Sequence, residues 1–239
     1  MLGDVHNMLG DYTKALQLVD SSLVYSQELD NQIMQINGLN VKGNIFRNLG
    51  NYKNATEIYL KVNRIAEEIK NISLQIDAKH NIGLIKNEIG SHKEAIQIFK
   101  DNLSKISSLP EVNRKISNTN TIIALASAYT DVDPQEALTY TKTLKEISTR
   151  DNNQIAFGYY YMFEGKIAYK QEKYQNALQL MNSAEDIFTA LGYERNLFTV
   201  YRFKGKCYYE LQKFKEAITN VAKLSFPLAS LAAQAIPPG

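Results

Sequence analysis

The sequence predicts an all-α fold, a solenoid of about six helix-turn-helix repeats in which each repeat packs on its neighbours. Six alanines recur 40, 40, 42, 40 and 40 residues apart, at Ala15, Ala55, Ala95, Ala137, Ala177 and Ala217. A glycine stands twelve residues before five of them, at Gly3, Gly43, Gly83, Gly165 and Gly205, and Leu125 takes its place in the fourth repeat. The residue three positions before each alanine is Tyr12, Tyr52, His92, Pro134, Tyr174 or Phe214.

A turn between the glycine and the alanine divides each repeat into a helix A and a helix B. The turn is clearest at Leu9-Gly10-Asp11, Leu49-Gly50-Asn51 and Ile89-Gly90-Ser91. Glycine favours this position because it adopts the left-handed backbone that ends a helix.

The residue after each turn is predicted to cap helix B, because a short polar side chain accepts bonds from the first free amides. The predicted caps are Asp11, Asn51, Ser91 and Asp133. Capping boxes are expected for Ser91 with Glu94 and for Asp133 with Glu136. Lysine replaces the cap in the last two repeats, where looser turns are expected, at Lys173 and Lys213.

Apolar residues recur at helical spacing through each repeat. The predicted helices span residues 31–49, 52–69, 73–89, 92–107, 112–130, 134–148, 153–171, 174–190, 194–211 and 214–224. The repeated alanine is expected where helices A and B cross closely, since a larger side chain there would push the helices apart.

The composition argues against several classes of partner and of chemical site. The 27 basic and 25 acidic residues nearly balance, which argues against direct binding of nucleic acid. A single cysteine, Cys207, excludes internal disulfides and multi-cysteine metal sites. No signal segment or apolar run of about 18 residues is present in the sequence. We therefore expect a soluble, cytoplasmic protein that has no cofactor and no metal site and does not contact a membrane.

The repeated phrase resembles the tetratricopeptide repeat. It reads Tyr201, Gly205, Tyr208, Phe214 and Ala217 in the last repeat, and six copies agree in register over residues 1–224. The period exceeds the family's usual value of about 34 residues, and the proline that closes the family motif is missing. The resemblance implies a right-handed superhelix whose A helices line a concave groove. Variants of about 40 residues are similar to arrays in bacterial peptide-pheromone receptors, histidine kinases and transcription regulators.

The two ends of the chain depart from the repeat pattern. Residue 1 falls inside helix A of the first repeat, which suggests that this repeat is truncated. Residues 225–239 are uncharged and hold three of the five prolines. Residues 228–236 are compatible with a short helix that covers the last repeat, and the alternative is a tail that is disordered or non-native. Exposed apolar surface at either end would favour end-to-end pairing of chains, and the oligomeric state stays open.

The A helices carry the candidate ligand-binding residues. In the second and third repeats these are Asn37, Asn40, Asn44, Arg47, His80, Asn81 and Asn87. In the fifth and sixth repeats they are Tyr159, Met162, Lys166, Tyr169, Arg202, Lys206 and Tyr209. An asparagine amide can donate to and accept from a peptide backbone. Cations beside tyrosine rings suit a carboxylate next to an apolar side chain. The alternative is that both sets are ordinary polar residues on solvated helix faces.

These observations favour a scaffold that binds a peptide or protein partner, with an acidic segment or C-terminal carboxylate over the last two repeats. The family's carboxylate clamp uses a lysine and an asparagine one helical turn apart. These two positions are Asn40 and Asn44 in this sequence, so the lysine of the clamp is missing. No catalytic motif is present, so no enzymatic activity is expected. The alternative function is the sensor portion of a bacterial regulator, a histidine kinase or transcription factor, whose output domain is absent.

Overall fold

The computed structural model describes residues 12–223, and this part of the chain is α-helical with no strand. It forms α1 (Tyr12–Glu28), α2 (Gln32–Asn48), α3 (Tyr52–Glu68), α4 (Ile72–Glu88), α5 (His92–Ile106), α6 (Glu111–Val132), α7 (Pro134–Arg150), α8 (Gln154–Lys170), α9 (Tyr174–Ala190), α10 (Glu194–Glu210) and α11 (Phe214–Ala222). The all-α helix-turn-helix class is confirmed, and every predicted helix is present with ends within two residues. None of the helices in this range is long and apolar enough to cross a bilayer.

The predictions for the two ends of the chain lie outside the described residues. They are the cap at Asp11, the truncated helix A of the first repeat and the tail at 225–239. The first described helix, α1, is helix B of the first repeat.

The 40-residue repeat consists of two equal halves of 20 residues. Most helices are 17 residues long, and each is followed by a turn that contains one residue with a left-handed backbone. These residues are Asp30, Gly50, Lys70 and Gly90, and then Asn152, Glu172, Gly192 and Gln212. The period breaks only around α5 and α6, which are 15 and 22 residues long. Longer helices therefore explain why the period exceeds the usual value for the family.

The same backbone hydrogen bonds close the turns, whatever the side chains. The amides of residues 49–51 donate to the carbonyls of residues 45–47 at 2.8–3.0 Å. The amides of residues 171–173 donate to the carbonyls of residues 167–169 at 2.9–3.0 Å. The lysine that replaces the cap at residue 173 therefore leaves the turn's backbone bonds unchanged, and the expectation of a looser turn is wrong in this respect.

Two of the predicted helix caps are confirmed and one is wrong. The side chains of Asn51 and Asp133 accept from the amides of their helices, at 3.3 Å and at 3.0 and 3.2 Å. Ser91 makes no side-chain cap bond. Its expected partner Glu94 pairs instead with Lys86, at 2.7 Å, because the ammonium group is a stronger partner for a carboxylate than a backbone amide is.

Asparagines that the sequence analysis did not single out cap three of the A helices. Asn31, Asn71 and Asn153 each accept from the amide three residues later, at 2.9, 3.1 and 3.0 Å. They follow the left-handed residues Asp30, Lys70 and Asn152. The turn before each of these A helices is thus built like the turn between A and B.

The predicted close crossing of helices A and B is present. At the crossing, the glycine of helix A packs against a large residue of helix B. The repeated alanines from Ala15 to Ala177 are fully buried. A Cβ added to Gly43 would lie 2.7 Å from the ring of Tyr59, and one added to Gly83 would lie 2.5 Å from the ring of Phe99. Both rings are fully buried, and each lies four residues after a repeated alanine. Each ring therefore fills the space that is left because glycine has no side chain.

In the fourth repeat, the larger of the two residues is on helix A and the smaller one is on helix B. Leu125 occupies the position of the glycine, and Thr141 occupies the position of the large residue; both are fully buried. The Thr141 hydroxyl donates to the carbonyl of Ala137 at 2.7 Å, which satisfies it inside the core. The larger residue of the two therefore stands on helix A in this repeat and on helix B in the second and third repeats.

The chain divides into two compact units, Met1–Thr121 and Ile122–Gly239, which we call the N-terminal and C-terminal halves. In the N-terminal half, α1 to α5 pack each on the next. In the C-terminal half, α7 to α11 do the same, and the A helices α8 and α10 also contact each other. The direct contact between α8 and α10 allows side chains from both helices to form one site.

The buried alanine gives a direct test of the crossing. Ala55→Leu or Ala177→Leu is expected to lower the free energy of unfolding by ~1–3 kcal/mol, because the added methyl groups overpack a full core. Urea titration measures this change. A variant that unfolds at the same urea concentration as the wild type would place the crossing elsewhere.

Candidate functional site

The ring of Phe203 is the centre of the candidate site in the C-terminal half. The Nζ atoms of Lys166 and Lys206 lie 5.6 and 5.4 Å from the ring centroid, and the guanidinium carbon of Arg202 lies 5.5 Å from it. Lys206 also lies 5.9 Å from the ring of Tyr169. We call these five residues the Phe203 cluster. Lys166 and Tyr169 come from α8 and the others from α10, so the contact between the two A helices assembles it.

None of the three cations of the Phe203 cluster forms an ion pair within residues 12–223. Lys204, also on α10, behaves differently: it is buried and pairs with Glu185, which also receives Lys223 at 3.2 Å. On α10, Lys204 is therefore neutralised by a carboxylate, whereas Lys206 forms no ion pair within the described residues.

The pKa of Lys166 is lowered from its usual 10.5 to about 8, mainly by burial. The positive charges of Arg202 and Lys170 contribute to this shift, and Asp131 opposes it. Asp131 is itself paired with Lys170 at 2.8 Å. An anion bound at the cluster would therefore stabilise the charged form of Lys166.

Three other predicted residues of this half do not join the cluster. Met162 is only 4% exposed, so its side chain is part of the core and not available to a ligand. Tyr159 packs against the ring of Phe163 at 5.9 Å. Tyr209 is exposed and lies edge-on to Phe214 at 5.7 Å. Spacing placed all three on the candidate helices, but neighbouring side chains decide where each one lies.

Phe203 was not among the predicted site residues. It lies between Arg202 and Lys204, at a half-buried position that sequence spacing does not distinguish from the core. The available signal was its place three residues before Lys206, one helical turn away, where a ring and a cation can meet.

In the N-terminal half, internal partners hold three of the predicted residues. The side-chain oxygen of Asn44 accepts from the Tyr59 hydroxyl at 2.8 Å. The side-chain oxygen of Asn87 lies 2.7 Å from Nδ1 of His92. Arg47 is paired with Glu88 at 3.3 Å. These side chains support the fold, which the spacing of polar residues along α2 and α4 did not indicate.

The remaining residues of the N-terminal set lie at or near the surface. Asn37 is exposed, and Asn40 and Asn81 are half-buried. The side-chain oxygen of Asn40 is buried and has no hydrogen-bond partner within the described residues. The bond from Tyr59 fixes the amide of Asn44 with its oxygen turned inward. Asn37, Asn40 and Asn81 are therefore the predicted asparagines of this half that the hydrogen bonds among the described residues do not use.

His80 has the wrong charge state for general acid chemistry near neutral pH. Its ring lies 5.5 Å from that of Phe99. Burial, and secondarily the charge of Arg47, lower the pKa of His80 from 6.5 to about 4. The imidazole is therefore neutral at physiological pH and acts as a packing residue.

The shifted pKa of His80 predicts a loss of stability in acid. The folded state binds fewer protons than the unfolded state between pH 6.5 and about 4, so stability falls as pH decreases through this range. We expect the difference in unfolding free energy between the wild type and His80→Gln to change by about 2 kcal/mol between pH 7.5 and pH 4.5. Urea titration at both values measures it. An identical difference at the two pH values would contradict the assignment.

Groups that could bind a metal or act as a nucleophile are sparse in the described range. No three His, Cys, Asp or Glu side chains within residues 12–223 lie close enough together to hold a metal ion. Cys207 is buried, and burial raises the pKa of its thiol to about 11. Since the thiolate is the reactive form, this cysteine is unreactive at neutral pH.

Sequence and structure comparisons support the resemblance to the tetratricopeptide repeat. Residues 36–69, which cover most of α2 and α3, match the family model described as tetratricopeptide repeat. No curated protein matches the sequence. Among solved structures, the apo form of RapI aligns with a TM-score of 0.76 and 14% identity, over 97% of this chain and 82% of that one.

Two further solved structures give the same result. Aspartyl phosphate phosphatase F from Bacillus subtilis aligns with a TM-score of 0.76 and 16% identity, over 95% of this chain and 57% of that one. NprR in complex with its cognate peptide NprX aligns with a TM-score of 0.71 and 18% identity, over 95% of this chain and 69% of that one. Identities this low show a shared fold, and the resemblance is confirmed at that level.

Proposed function

We propose that this chain of tetratricopeptide-type repeats is a non-catalytic scaffold that binds a peptide or protein segment bearing negative charge. The observation that supports the proposal best is the convergence of Lys166, Arg202 and Lys206 on Phe203, where none of them forms an ion pair within the described residues. Solvent screens the charges of the exposed Arg202 and Lys206, but the half-buried Lys166 is disfavoured in its charged form in the free protein. A bound anion would remove this cost, which is why the cluster fits a ligand site better than a packing contact.

The chemistry of the Phe203 cluster suits a carboxylate that is attached to an apolar group. A guanidinium group can form two parallel hydrogen bonds with a carboxylate. The half-buried ring of Phe203 and the ring of Tyr169 offer apolar surface beside the charges. An acidic side chain or the C-terminus of a peptide would meet both requirements.

Amides in the N-terminal half support an extended peptide as the ligand class. Asn37, Asn40 and Asn81 can each donate to and accept from a peptide backbone. NprR, which shares the fold, was solved with its cognate peptide NprX. Aspartyl phosphate phosphatase F, which also shares the fold, is named for a reaction, but that reaction is a property of that protein and is not assigned to this chain. The neutral His80 and the unreactive Cys207 favour a role for this chain without catalysis.

A second candidate is the ligand-binding portion of a longer bacterial regulator, with the output domain in another part of the protein. It is favoured by the alignment with NprR, of which this chain covers 69%. The apo form of NprR from B. thuringiensis is described as a quorum sensor. Both candidates place the same peptide-binding step in the cytoplasm and without direct contact to nucleic acid. They differ in whether binding then changes the activity of a covalently attached output domain.

A panel of labelled peptides tests the proposal. Peptides of equal length that differ only in carrying acidic, neutral or basic residues are titrated with the protein, and fluorescence anisotropy reports binding. We expect the acidic peptides to bind about tenfold more tightly than the neutral ones at low salt and to lose this advantage as salt increases. Equal affinity for acidic and neutral peptides would contradict the proposal.

A further inference from the structure

Helix α11 presents an apolar surface that no described helix covers. Phe214, Ile218 and Val221 recur at spacings of four and three residues, which places them on one side of the helix. All three side chains are exposed, and we call them the α11 stripe. Val221 also borders the crossing with α10, because a Cβ added to Gly205 would lie 3.1 Å from its side chain. The stripe is therefore continuous with the core of the last repeat.

The same positions are buried one repeat earlier. Leu178 and Met181 of α9 stand 40 residues before Ile218 and Val221. Leu178 is 7% exposed, and Met181 is fully buried. Ile218, in contrast, is 70% exposed, and Val221 is 53% exposed. The difference has a structural cause: α9 packs on both α8 and α10, and Leu178 lies in one apolar cluster with Cys207 of α10. The α11 stripe therefore corresponds to a surface that a following helix covers.

The sequence after Lys223 supplies a segment that matches this surface. Residues 225–239 are uncharged, so packing on the stripe would bury no charge from them. Pro227 and Pro237 bound the stretch 228–236, and proline is favoured at the start of a helix and shortly after its end. The larger apolar residues and two alanines of this stretch recur at the spacing of one helical face, at Leu228, Leu231, Ala232, Ala235 and Ile236.

The link between α11 and this segment is long enough for the two to lie side by side. The axes of packed helices are about 8–10 Å apart. Residues 224–227 span up to about 13 Å when they are extended. A segment on so short a link has an effective concentration on the order of millimolar beside the stripe. At micromolar protein concentration, the chain's own segment is therefore favoured over a second copy as the occupant.

We propose that residues 228–236 form a helix that packs antiparallel on the α11 stripe and closes the apolar core of the last repeat. A short link favours the antiparallel arrangement. The segment covers Ile218 and Val221 as α10 covers the corresponding residues of α9. Its small residues, Ala232 and Ala235, allow the two helices to approach closely. Once covered, this face is not available for end-to-end pairing with a second chain.

Disulfide formation in the complete chain tests the contact. Ile218→Cys is combined in turn with Ala232→Cys and with Ala235→Cys, and each variant is equilibrated with reduced and oxidised glutathione. Cys207 is kept, because it is buried and unreactive. The disulfide fraction gives the effective concentration of one thiol beside the other. The better of the two pairs is expected to exceed the control pairs about tenfold.

The control pairs move one cysteine by a single residue, which turns it by about 100° around its helix. They are Thr219→Cys with Ala232→Cys and Ile218→Cys with Ala233→Cys; Thr219 is exposed, as Ile218 is. A further variant, Leu231→Asp, places a charge on the face that we propose to be buried. It is expected to reduce the advantage of the better pair to about twofold or less.

Three results would overturn the proposal. Equal effective concentrations in all pairs would show a segment that does not pack on α11, because such a segment samples both sides of the helix alike. An advantage that persists unchanged in Leu231→Asp would show that the apolar face of the segment is not what holds it. A disulfide that forms between chains, identified by non-reducing gel electrophoresis, would assign the α11 stripe to a second copy.

Discussion

Replacement of Lys166, Arg202 and Lys206 together by serine is expected to weaken binding of an acidic peptide about 100-fold, or ~3 kcal/mol. Each of the three side chains can form a charge-assisted hydrogen bond with the ligand, and such bonds contribute about 1.5–3 kcal/mol each. Fluorescence anisotropy with the acidic peptide of the panel measures the change.

The same variant is expected to be at least as stable as the wild type. The lowered pKa of Lys166 means that the folded state disfavours the ammonium form, and removal of the neighbouring charges relieves their repulsion. Thermal unfolding in the absence of peptide measures this. The combination of lost binding and retained stability distinguishes a ligand site from a structural contact.

The charge-matched variant with Lys173, Lys213 and Lys215 replaced by serine serves as the control. It loses the same net charge but leaves the Phe203 cluster intact, so its affinity for the acidic peptide is expected to stay within about threefold of the wild type. If both triple variants weaken binding equally, the peptide responds to net charge and not to the cluster. If neither does, the peptide binds elsewhere on the chain.

Gly83→Leu is expected to lower the free energy of unfolding by about 3 kcal/mol or more. A Cβ at this position would already lie 2.5 Å from the ring of Phe99, which is fully buried and cannot swing into solvent. The double variant Gly83→Leu with Phe99→Thr copies Leu125 and Thr141 of the fourth repeat. It is expected to be more stable than the sum of the single effects by about 2 kcal/mol.

Urea titration of both single variants and the double variant measures this coupling. Gly83→Leu combined with Phe188→Thr is the control, since Phe188 is a fully buried ring that packs against Gly158 in the other half. The effects of that pair should add. Additive effects for the first pair as well would show that the two positions do not share one space.

The sequence predicted the helices well because their signals are local. Each helix has its own apolar periodicity and its own turn, and after eight of the described helices a left-handed residue follows two positions after the last helical residue. The wrong capping box at Ser91 shows the limit of this reasoning. The motif was present, but Lys86 on the preceding helix attracts Glu94, and a local motif does not include such a competitor.

The candidate site was harder to predict because a side chain's role depends on its neighbours in space. The sequence placed Lys166, Arg202 and Lys206 on adjacent A helices, and the structure places them around one ring. The same reasoning selected Asn44 and Met162, which the fold uses internally. Spacing along one helix gives its faces but does not say which neighbour covers each face.

The equal division of the 40-residue repeats into two 20-residue segments restricts how the gene can change in length. Insertion of one 20-residue segment would keep the hydrogen bonds of the turns but would exchange the roles of the A and B helices in all later repeats. Residues that we propose to contact the ligand would then face the helix crossing. Insertion or loss of two segments preserves both the turns and the roles. Related genes are therefore expected to gain or lose whole repeats, and ligand preference can diversify by recombination at the turns while the core positions stay unchanged.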